Sequence, residues 1–233
     1  MDHFSSKQPY IIINMAMSVD GKVSSILREA TTFTSPEDKR YLLKIRSRSD
    51  ALIVGAHTAA LDYTSMGISD PRLRAKRQKN NQSMHPLRVI VSGRLSLLPS
   101  LTIFKASISP ILIVCCETAP HQHRAKFTQL GRVFICGKKN IDVNKLISFL
   151  AKEYGVRTIL CEGGPTLNEA FFKAGRVNEL YLTLSPYIVG GQNAPTLSEG
   201  QGIAYLKKAV RSRLLSKRRG RQEWFLRYRF VSS

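Results

Sequence analysis

Short apolar runs alternate with polar, helix-like segments along most of this 233-residue chain. The apolar runs lie at 10–17, 51–55, 87–92, 111–116, 132–136, 157–161 and 179–185. They are continuous and rich in β-branched residues, which is typical of strands buried on both faces of a parallel sheet. The run at 222–231 alternates instead and places Arg227 and Arg229 on one face. That pattern predicts an antiparallel strand at the edge of the sheet.

Three of the intervening segments predict helices. Ser35 is followed by a proline and two acidic residues, a combination typical of a helix N-terminus. Residues 143–154 carry apolar side chains at helical spacing, and residues 165–174 form a third helical segment that ends at a glycine. Strands that alternate with helices predict an α/β protein, which we interpret as a single domain over 1–233.

Two stretches lack either pattern. Residues 1–9 predict a flexible N-terminus, and the polar, basic stretch 69–86 predicts a long mobile loop. The first residues lack the apolar core of a signal peptide, and no run approaches the roughly 18 apolar residues of a membrane span. We therefore expect a cytoplasmic protein that does not bind membranes.

The charge of the chain points to anionic partners. Lysine and arginine number 36 against 16 acidic residues, which gives a net charge of +20. Nucleic acid, an acidic membrane surface and phosphorylated small molecules all fit this charge, and so does a merely solvated basic surface. The basic cluster 207–221 could bind a phosphate backbone weakly. The aromatic residues that follow it alternate like strand core, which argues against a stacking surface for bases.

The cysteines do not indicate a metal or redox site. Cys115, Cys116, Cys136 and Cys161 all lie in or at the end of apolar runs, and none belongs to a CxxC pair or has a histidine at zinc-ligand spacing. We expect no bound metal and buried free thiols, which fit a reducing compartment.

Polar clusters follow three of the predicted strands. They are residues 18–22, residues 55–58 with Asp62, and Glu162 with the two glycines after it. The carboxyl ends of parallel strands share one edge of the sheet, where open α/β sheets bind ligands. Adjacent glycines admit a ligand close to the backbone, and a helix N-terminus favours phosphate. Together the clusters predict a site for a phosphate-bearing cofactor beside a polar substrate.

Five ordered blocks of sequence carry a resemblance to a known family. They are AMSVDGK (16–22), residues 34–62, DPRL (70–73), PLRVIVS (86–92) and residues 161–191. They resemble the reductase domain of riboflavin biosynthesis. That resemblance implies a dihydrofolate-reductase-like fold: a mainly parallel twisted sheet flanked by helices, with an antiparallel C-terminal strand. It also implies a homodimer. The deaminase signature of bifunctional relatives is missing, so we expect a stand-alone reductase.

The resemblance implies NADPH-dependent reduction of a ribosylamino-pyrimidine 5′-phosphate to its ribityl form. The substrate is 5-amino-6-(5-phosphoribosylamino)uracil or its 2,5-diamino precursor. The implied catalytic residues are Asp20, Lys22 and Glu162. The implied substrate contacts are Arg46, Leu73, Arg74, Lys76 and Glu162. The implied cofactor contacts are Ala16, Thr58, Asp62, Ser92, Gly163, Gly164, Pro165, Thr166, Leu167, Asn168 and Ala170.

These roles agree with the chemistry of the residues. The glycines and the helix that starts near Pro165 would hold the cofactor phosphates, while Glu162 would meet donor groups of the substrate ring. Arg46 could clamp the substrate phosphate, or serve as an ordinary cation at a helix C-terminus. Two alternatives stay open. One is a reductase of another pterin or pyrimidine, suggested by Phe33 where the family usually has tryptophan. The other is a basic nucleic-acid-binding protein on this scaffold.

Overall fold

A computed structural model describes residues 8–30, 32–61 and 65–230 of the chain. The strands are β1 (Tyr10–Ser18), β2 (Ala51–Gly55), β3 (Leu87–Val91), β4 (Ile111–Cys115), β5 (Arg132–Ile135), β6 (Thr158–Cys161), β7 (Glu179–Ser185), β8 (Ser212–Arg219) and β9 (Trp224–Phe230). The helices are α1 (Pro36–Arg46), α2 (Ala56–Leu61), α3 (Pro71–Lys79), α4 (Thr102–Lys105), α5 (His121–Phe127), α6 (Val143–Tyr154) and α7 (Pro165–Lys173). A short 3₁₀ helix covers Leu206–Lys208.

All of these strands join one sheet in the order β5-β4-β3-β2-β6-β1-β7-β9-β8. The pairings from β5 to β7 are parallel, and β9 pairs antiparallel with β7. The predicted mainly parallel sheet with an antiparallel C-terminal strand is therefore confirmed. The predicted edge position of β9 is wrong, because β8 pairs with its outer side.

Strand β8 has no counterpart among the predicted strands. Seven of its eight residues are exposed and six are basic or serine, so no alternation of apolar and polar positions marks it. Its pairing with β9 supplies the order that the sequence pattern does not indicate. The basic cluster 207–221 thus lies mostly on the outermost strand of the sheet.

Helices pack on both faces of the sheet and bury the central strands. Ile11 and Ile13 of β1 pack in one core with Leu146 of α6, while Ile12 packs in the other core with Ile45 of α1. Successive side chains of a strand point to opposite faces. Two covered faces therefore require apolar residues at every position, which explains the unbroken apolar runs.

The predicted helix ends are confirmed where they carry a capping signal. The Ser35 hydroxyl accepts hydrogen bonds from the backbone N–H of Glu37 (3.2 Å) and Asp38 (3.1 Å) at the start of α1. Helix α6 ends at Gly155, which adopts φ +62° as a C-terminal glycine should. The first helix therefore begins where its serine and proline indicated.

The expectation of a long loop at 69–86 is wrong, because α3 occupies half of it. Asp70 accepts a hydrogen bond from the backbone N–H of Arg72 (2.8 Å) and caps the helix. Arg77 is buried at its far end and donates to the carbonyls of Ser49 (2.6 Å) and Ser83 (2.7 Å). The helix is anchored by a buried arginine and lacks an apolar stripe, so it carries no periodic signal.

The other expectations about the chain ends, thiols and metals fall into three groups. Most of the predicted flexible N-terminus lies outside the described residues, which begin at Gln8. The four cysteines are free and buried, and burial raises the pKa of the Cys161 thiol to about 12. In the described ranges, no group of three metal-ligating side chains comes together, and no helix is both long and apolar enough to cross a membrane.

Candidate active site

The three polar clusters predicted from the sequence meet at one edge of the sheet. They follow β1, β2 and β6, and these strands are neighbours in the order β2-β6-β1. Parallel pairing brings the carboxyl ends of all three strands to the same side. Lys22, Thr58 and Glu162 belong to this edge. Asp62, predicted here as a cofactor contact, lies outside the described residues.

The two glycines after β6 are packed too closely for side chains. A Cβ atom on Gly163, which has φ +87°, would lie 2.9 Å from the Met15 sulfur. A Cβ atom on Gly164 would lie 3.1 Å from the Thr58 hydroxyl. The backbone N–H of Gly55 donates to the Gly163 carbonyl (2.7 Å), which fixes the glycine pair against the end of β2. Glycine is therefore favoured at 163 by its positive φ and by the contact with Met15 of β1, and Gly164 leaves little room beside the Thr58 hydroxyl of α2.

Helix α7 begins immediately after these glycines. Gly164 is its N-cap residue and Pro165 its first residue, and no side chain caps the first turn. A helix start without a side-chain acceptor presents its N–H groups and the positive end of its dipole to an anion. Among the described residues, this is the feature best suited to a phosphate group beside Glu162.

The predicted cofactor contacts farther along α7 have structural partners. Asn168 is fully buried and its side-chain amide donates to the Leu197 carbonyl (2.9 Å). Leu167 is buried, and Ala170 is half-buried against the same core. Pro165 and Thr166 lie in the first turn, and Thr166 is exposed. Of the predicted contacts, Gly164 and Pro165 are thus partly exposed and Thr166 is exposed, whereas Gly163, Leu167 and Asn168 are buried.

The remaining predicted cofactor contacts lie within or at the end of strands. Ala16 is half-buried in β1 and pairs with Thr183 of β7. Ser92 follows β3, is buried, and donates its backbone N–H to the Val114 carbonyl (2.9 Å). Thr58 is half-buried in α2, beside Gly164.

Arg46 and Glu162 form a buried, bidentate ion pair. Arg46 Nε donates to Glu162 Oε1 (2.7 Å) and Nη2 donates to Oε2 (2.6 Å). The side chains are only 6% and 9% exposed. Arg46 Nη1 also donates to the Gly67 carbonyl (3.0 Å). The predicted phosphate clamp is thus engaged with the predicted substrate-ring carboxylate, and the two side chains form one unit.

Asp20 and Lys22 fasten the loop that follows β7. Asp20 accepts hydrogen bonds from the Ser18 hydroxyl (2.6 Å) and from the backbone N–H groups of Val189 (3.1 Å) and Gly190 (2.7 Å). These hydrogen bonds lower the pKa of Asp20 to about 2, and the bond from Ser18 makes the largest contribution. Lys22 Nζ donates to the Ala194 carbonyl (3.0 Å). Asp20 is therefore an ionised anchor, and Lys22 keeps further N–H donors for other contacts.

The predicted substrate contacts on α3 do not join this group. Arg74 Nη1 donates to the carbonyls of Ile68 and Ser69 (both 2.9 Å). Leu73 is half-buried and Lys76 is exposed. No contact in the described part of the chain links these three side chains to Asp20, Lys22 or Glu162.

Two further features of this edge carry no signal in the sequence. The loop 187–190 holds Asp20 through its backbone N–H groups, and the pairing of β1 with β7 brings the loop and the carboxylate together. The buried carboxylates Asp38 and Glu223 anchor the start of α1. Asp38 accepts a hydrogen bond from the Thr183 hydroxyl (2.6 Å), and burial raises the pKa of Asp38.

Two cavities of the described chain lie away from this edge. One of 330 Å³ opens at the amino-terminal ends of β3 to β5, and one of 670 Å³ lies over β7 and β9. Neither cavity is lined by Glu162, Gly163, Gly164 or Pro165.

Comparison with known proteins agrees with this geometry. Residues 9–225 match the model of the family described as the RibD C-terminal domain. The 2,5-diamino-6-ribosylamino-4(3H)-pyrimidinone 5′-phosphate reductase of Archaeoglobus fulgidus is 30% identical over 86% of this chain and 90% of its own length. A pyrimidine reductase-like protein from Corynebacterium diphtheriae superposes with a TM-score of 0.85 at 20% identity, covering 97% of this chain and 93% of that one.

A wider structural likeness extends to dihydrofolate reductase. The enzyme from Enterococcus faecalis superposes with a TM-score of 0.53 at 9% identity and covers 96% of this chain and 97% of that chain. At this identity the likeness concerns the fold alone, and it confirms the predicted dihydrofolate-reductase-like architecture. The family match covers nearly the whole described chain, and the resemblance found in the sequence is confirmed: this protein belongs to the RibD C-terminal domain family.

Proposed function

We propose that this chain uses NADPH to reduce the ribosyl group of a ribosylamino-pyrimidine 5′-phosphate to a ribityl group. The chain is an oxidoreductase, since its relatives at about 30% identity over most of its length are named as reductases. The observation that carries the proposal is the juxtaposition of a buried, oriented carboxylate, Glu162, with the glycine-rich helix start at 163–165. The Glu162 carboxylate suits a polar ring, and the helix start at 163–165 suits a phosphate group.

The residues of the edge fit a nicotinamide dinucleotide. Gly163, Gly164 and the first turn of α7 would hold its pyrophosphate, because glycines carry no side chain of their own and no side chain caps that turn. When bound, NADPH supplies the hydride that adds to the first carbon of the sugar. The protein's contribution is then to hold the substrate in line and to exclude other orientations.

A preference for NADPH over NADH is supported by Arg94. This exposed residue follows Ser92 and Gly93 at the end of β3, on the same edge as the glycines. Strand β2 separates β3 from β6, so their ends lie about 10 Å apart at the usual strand spacing. An arginine near the ribose is the group that accommodates a 2′-phosphate in dinucleotide sites.

On the substrate side, Glu162 would accept hydrogen bonds from amino or ring N–H groups of the pyrimidine. Arg46 fixes the plane of that carboxylate through two parallel bonds and thereby orients its outer lone pairs. Lys22 uses one donor on Ala194 and can direct others to substrate oxygens. Asp20 acts as a positioning residue, because its oxygens hold the loop after β7.

The test is direct measurement of turnover. The purified chain is mixed with NADPH and either the 2,5-diamino substrate or its deaminated product, and loss of the nicotinamide absorbance is followed. We expect turnover with at least one of them, abolished in Glu162→Gln and retained in Glu153→Gln, a surface control whose carboxylate pairs with Arg132. Turnover with a folate-like substrate alone would favour the alternative reductase, and turnover with none would refute the proposal.

The proposal includes a cytoplasmic homodimer. The four buried, free thiols fit a reducing compartment. Ile203 and Val210 line the 670 Å³ cavity over β7 and β9, and Leu206, which lies between them in the chain, is 90% exposed. These apolar side chains suit contact with a second copy. Light scattering should give twice the monomer mass, and Leu206→Glu should shift the equilibrium toward monomer. A monomer at micromolar concentration would contradict this part alone.

A further inference from the structure

Strands β7, β9 and β8 present a face rich in arginine toward helix α1. Tyr181 of β7 and Phe225 of β9 point to this face, because their rings lie 6.0 and 5.1 Å from the Tyr41 ring of α1, centroid to centroid. Alternate residues of a strand point to the same face. Arg227 and Arg229 therefore lie on the α1 face of β9 together with Phe225.

Strand β8 adds two arginines to the same face. Arg213 pairs with Arg229, and Arg218 pairs with Phe225, across the two strands. The pairing shifts by one residue at 214–216, which brings both arginines of β8 to one face although they are five positions apart. The Arg218 guanidinium lies 4.2 Å from the centroid of the Phe225 ring, which confirms its side. Four arginines thus lie on the α1 face of β8 and β9.

Helix α1 borders these arginines with further cations. Lys44 lies one turn beyond Tyr41 on the same side of the helix, and Arg48 follows the end of the helix. Burial raises the pKa of Tyr41, and the charge of Arg48 opposes that rise together with the charges of Arg218 and Arg227. The helix and the strands therefore share one basic patch around this ring. Its members are Lys44, Arg48, Arg213, Arg218, Arg227 and Arg229.

The basic patch is only partly balanced by carboxylates. Glu179 is buried beneath the two arginines of β9 and accepts hydrogen bonds from both. Glu37 forms an ion pair with Arg218. The other three members are exposed and form no ion pair within the described residues; they are Lys44, Arg48 and Arg213. Six cations beside two carboxylates leave a surplus of positive charge that faces solvent.

The opposite face of the same strands is apolar. Tyr228 and Phe230 of β9 line the 670 Å³ cavity there, and the exposed Leu214 of β8 pairs with Tyr228. A surface that lies on a membrane inserts apolar side chains next to its cations. Here the cations and the exposed leucine lie on different faces of β8, so the basic patch suits an anion that stays in water.

We infer that the basic patch binds the phosphate backbone of nucleic acid without reading its sequence. Charge complementarity carries the inference, because a row of phosphates can meet exposed cations of α1 and β8 together. Arginine side chains cover the Tyr181 and Phe225 rings beneath the patch, so these rings offer no free face on which bases could stack. The patch contains no residue of the substrate or cofactor set except through the fold, and the inference does not depend on the proposed reductase activity.

The experiment measures binding of a fluorescein-labelled single-stranded RNA of mixed sequence to the full chain by fluorescence anisotropy. The salt concentration is varied between about 50 and 200 mM, where phosphate contacts make affinity fall steeply with salt. The patch variant combines Lys44→Gln, Arg48→Gln and Arg213→Gln. It removes the three exposed cations without breaking an ion pair of the described chain.

A matched control combines Lys126→Gln, Lys138→Gln and Lys152→Gln. These exposed lysines lie on or near α5 and α6, toward the β5 end of the sheet, and their loss changes the net charge equally. The patch variant should bind RNA about tenfold or more weakly, and its slope of log affinity against log salt should fall by about 2, at roughly 0.7 per phosphate contact. The control should stay within about twofold, since charges beyond a Debye length are screened.

Three results would overturn the inference. The first is no RNA binding at the lowest salt, and the second is an equal loss in both variants, which would assign binding to net charge alone. The third is tighter binding to vesicles of phosphatidylcholine and phosphatidylserine than to RNA, lost in the patch variant, which would assign the patch to a membrane surface. If the triple variant does not fold, Arg213→Gln alone decides, and its salt slope should fall by about 0.7.

Discussion

Arg46 and Glu162, 116 positions apart in the chain, meet through two hydrogen bonds of 2.7 and 2.6 Å and form a buried ion pair. The pair joins the end of α1 to the end of β6 and directs a carboxylate toward the glycine-rich edge. Sequence reasoning placed both residues at this edge but gave them separate roles. Their contact makes the orientation of Glu162 depend on Arg46.

Removing one partner of this pair should be more harmful than removing both. Arg46→Met leaves the Glu162 carboxylate buried without a counter-charge, which typically costs about 3–5 kcal/mol. Arg46→Met with Glu162→Leu should recover most of that stability, yet remain inactive because the carboxylate is lost. Urea unfolding and NADPH oxidation measure the two effects. Recovered activity in the double variant would contradict a role for Glu162 in turnover.

The glycine pair predicts a steric effect that a matched glycine can isolate. Gly163→Ala combines a positive φ with a Cβ 2.9 Å from the Met15 sulfur, whereas Gly175→Ala has φ +63° and nothing within 4 Å. The control Gly175→Ala should lower the free energy of unfolding by about 1 kcal/mol through backbone strain alone. We expect Gly163→Ala to cost more and to weaken NADPH binding, measured by fluorescence titration. Equal costs with unchanged cofactor affinity would show that the close approach is unimportant.

Asp20 predicts a change in loop attachment at acidic pH. Its hydrogen bonds lower its pKa from 3.8 to about 2, so the ionised form is favoured in the folded state. The contribution of Asp20 is therefore complete above about pH 4 and is lost as the pH falls through about 2. The amide NMR signals of Val189 and Gly190 should report this titration. Asp20→Ala should abolish it and lower kcat more than it weakens NADPH binding.

We expect Arg94 to set the preference for NADPH over NADH. Arg94→Ala should raise KM for NADPH about tenfold or more, because a charge-assisted bond to phosphate contributes about 1.5–3 kcal/mol. The KM for NADH should change little, since NADH lacks the 2′-phosphate. Lys126→Ala, an exposed cation on α5, serves as the control. A parallel loss for both cofactors would assign Arg94 to general binding or folding instead.

We expect that any affinity of the basic strand β8 for nucleic acid can be removed without loss of reductase turnover. Lys217 and Arg219 are exposed on β8, on the side of the strand away from the Glu37 contact of Arg218. Replacing both with serine should leave turnover within about twofold, since exposed substitutions of this kind usually change stability by less than about 0.5 kcal/mol. Filter binding at low salt then measures any affinity for nucleic acid. A large loss of turnover would instead connect this strand to the active site.

The sequence by itself determined the local elements and the chemistry of the edge. Unbroken β-branched runs reveal strands with two covered faces, and the serine–proline start of α1 and Gly155 mark helix ends through backbone requirements that are local. The ordered blocks around Asp20, Thr58 and Glu162 carried the family resemblance because their residues and spacing can be recognised in the sequence alone. None of these features needs a distant partner to be recognised.

Tertiary structure decided what depends on distant partners. Helix α3 and strand β8 lack a periodic apolar face and are held by Arg77 and by β9, respectively, so their patterns resemble polar loops. The pairing of Arg46 with Glu162 and the capture of the loop after β7 by Asp20 also follow from strand order. Residues that are more than a hundred positions apart show no recognisable spacing pattern in a single sequence, even when they form a hydrogen bond. Only the folded sheet brings such partners together.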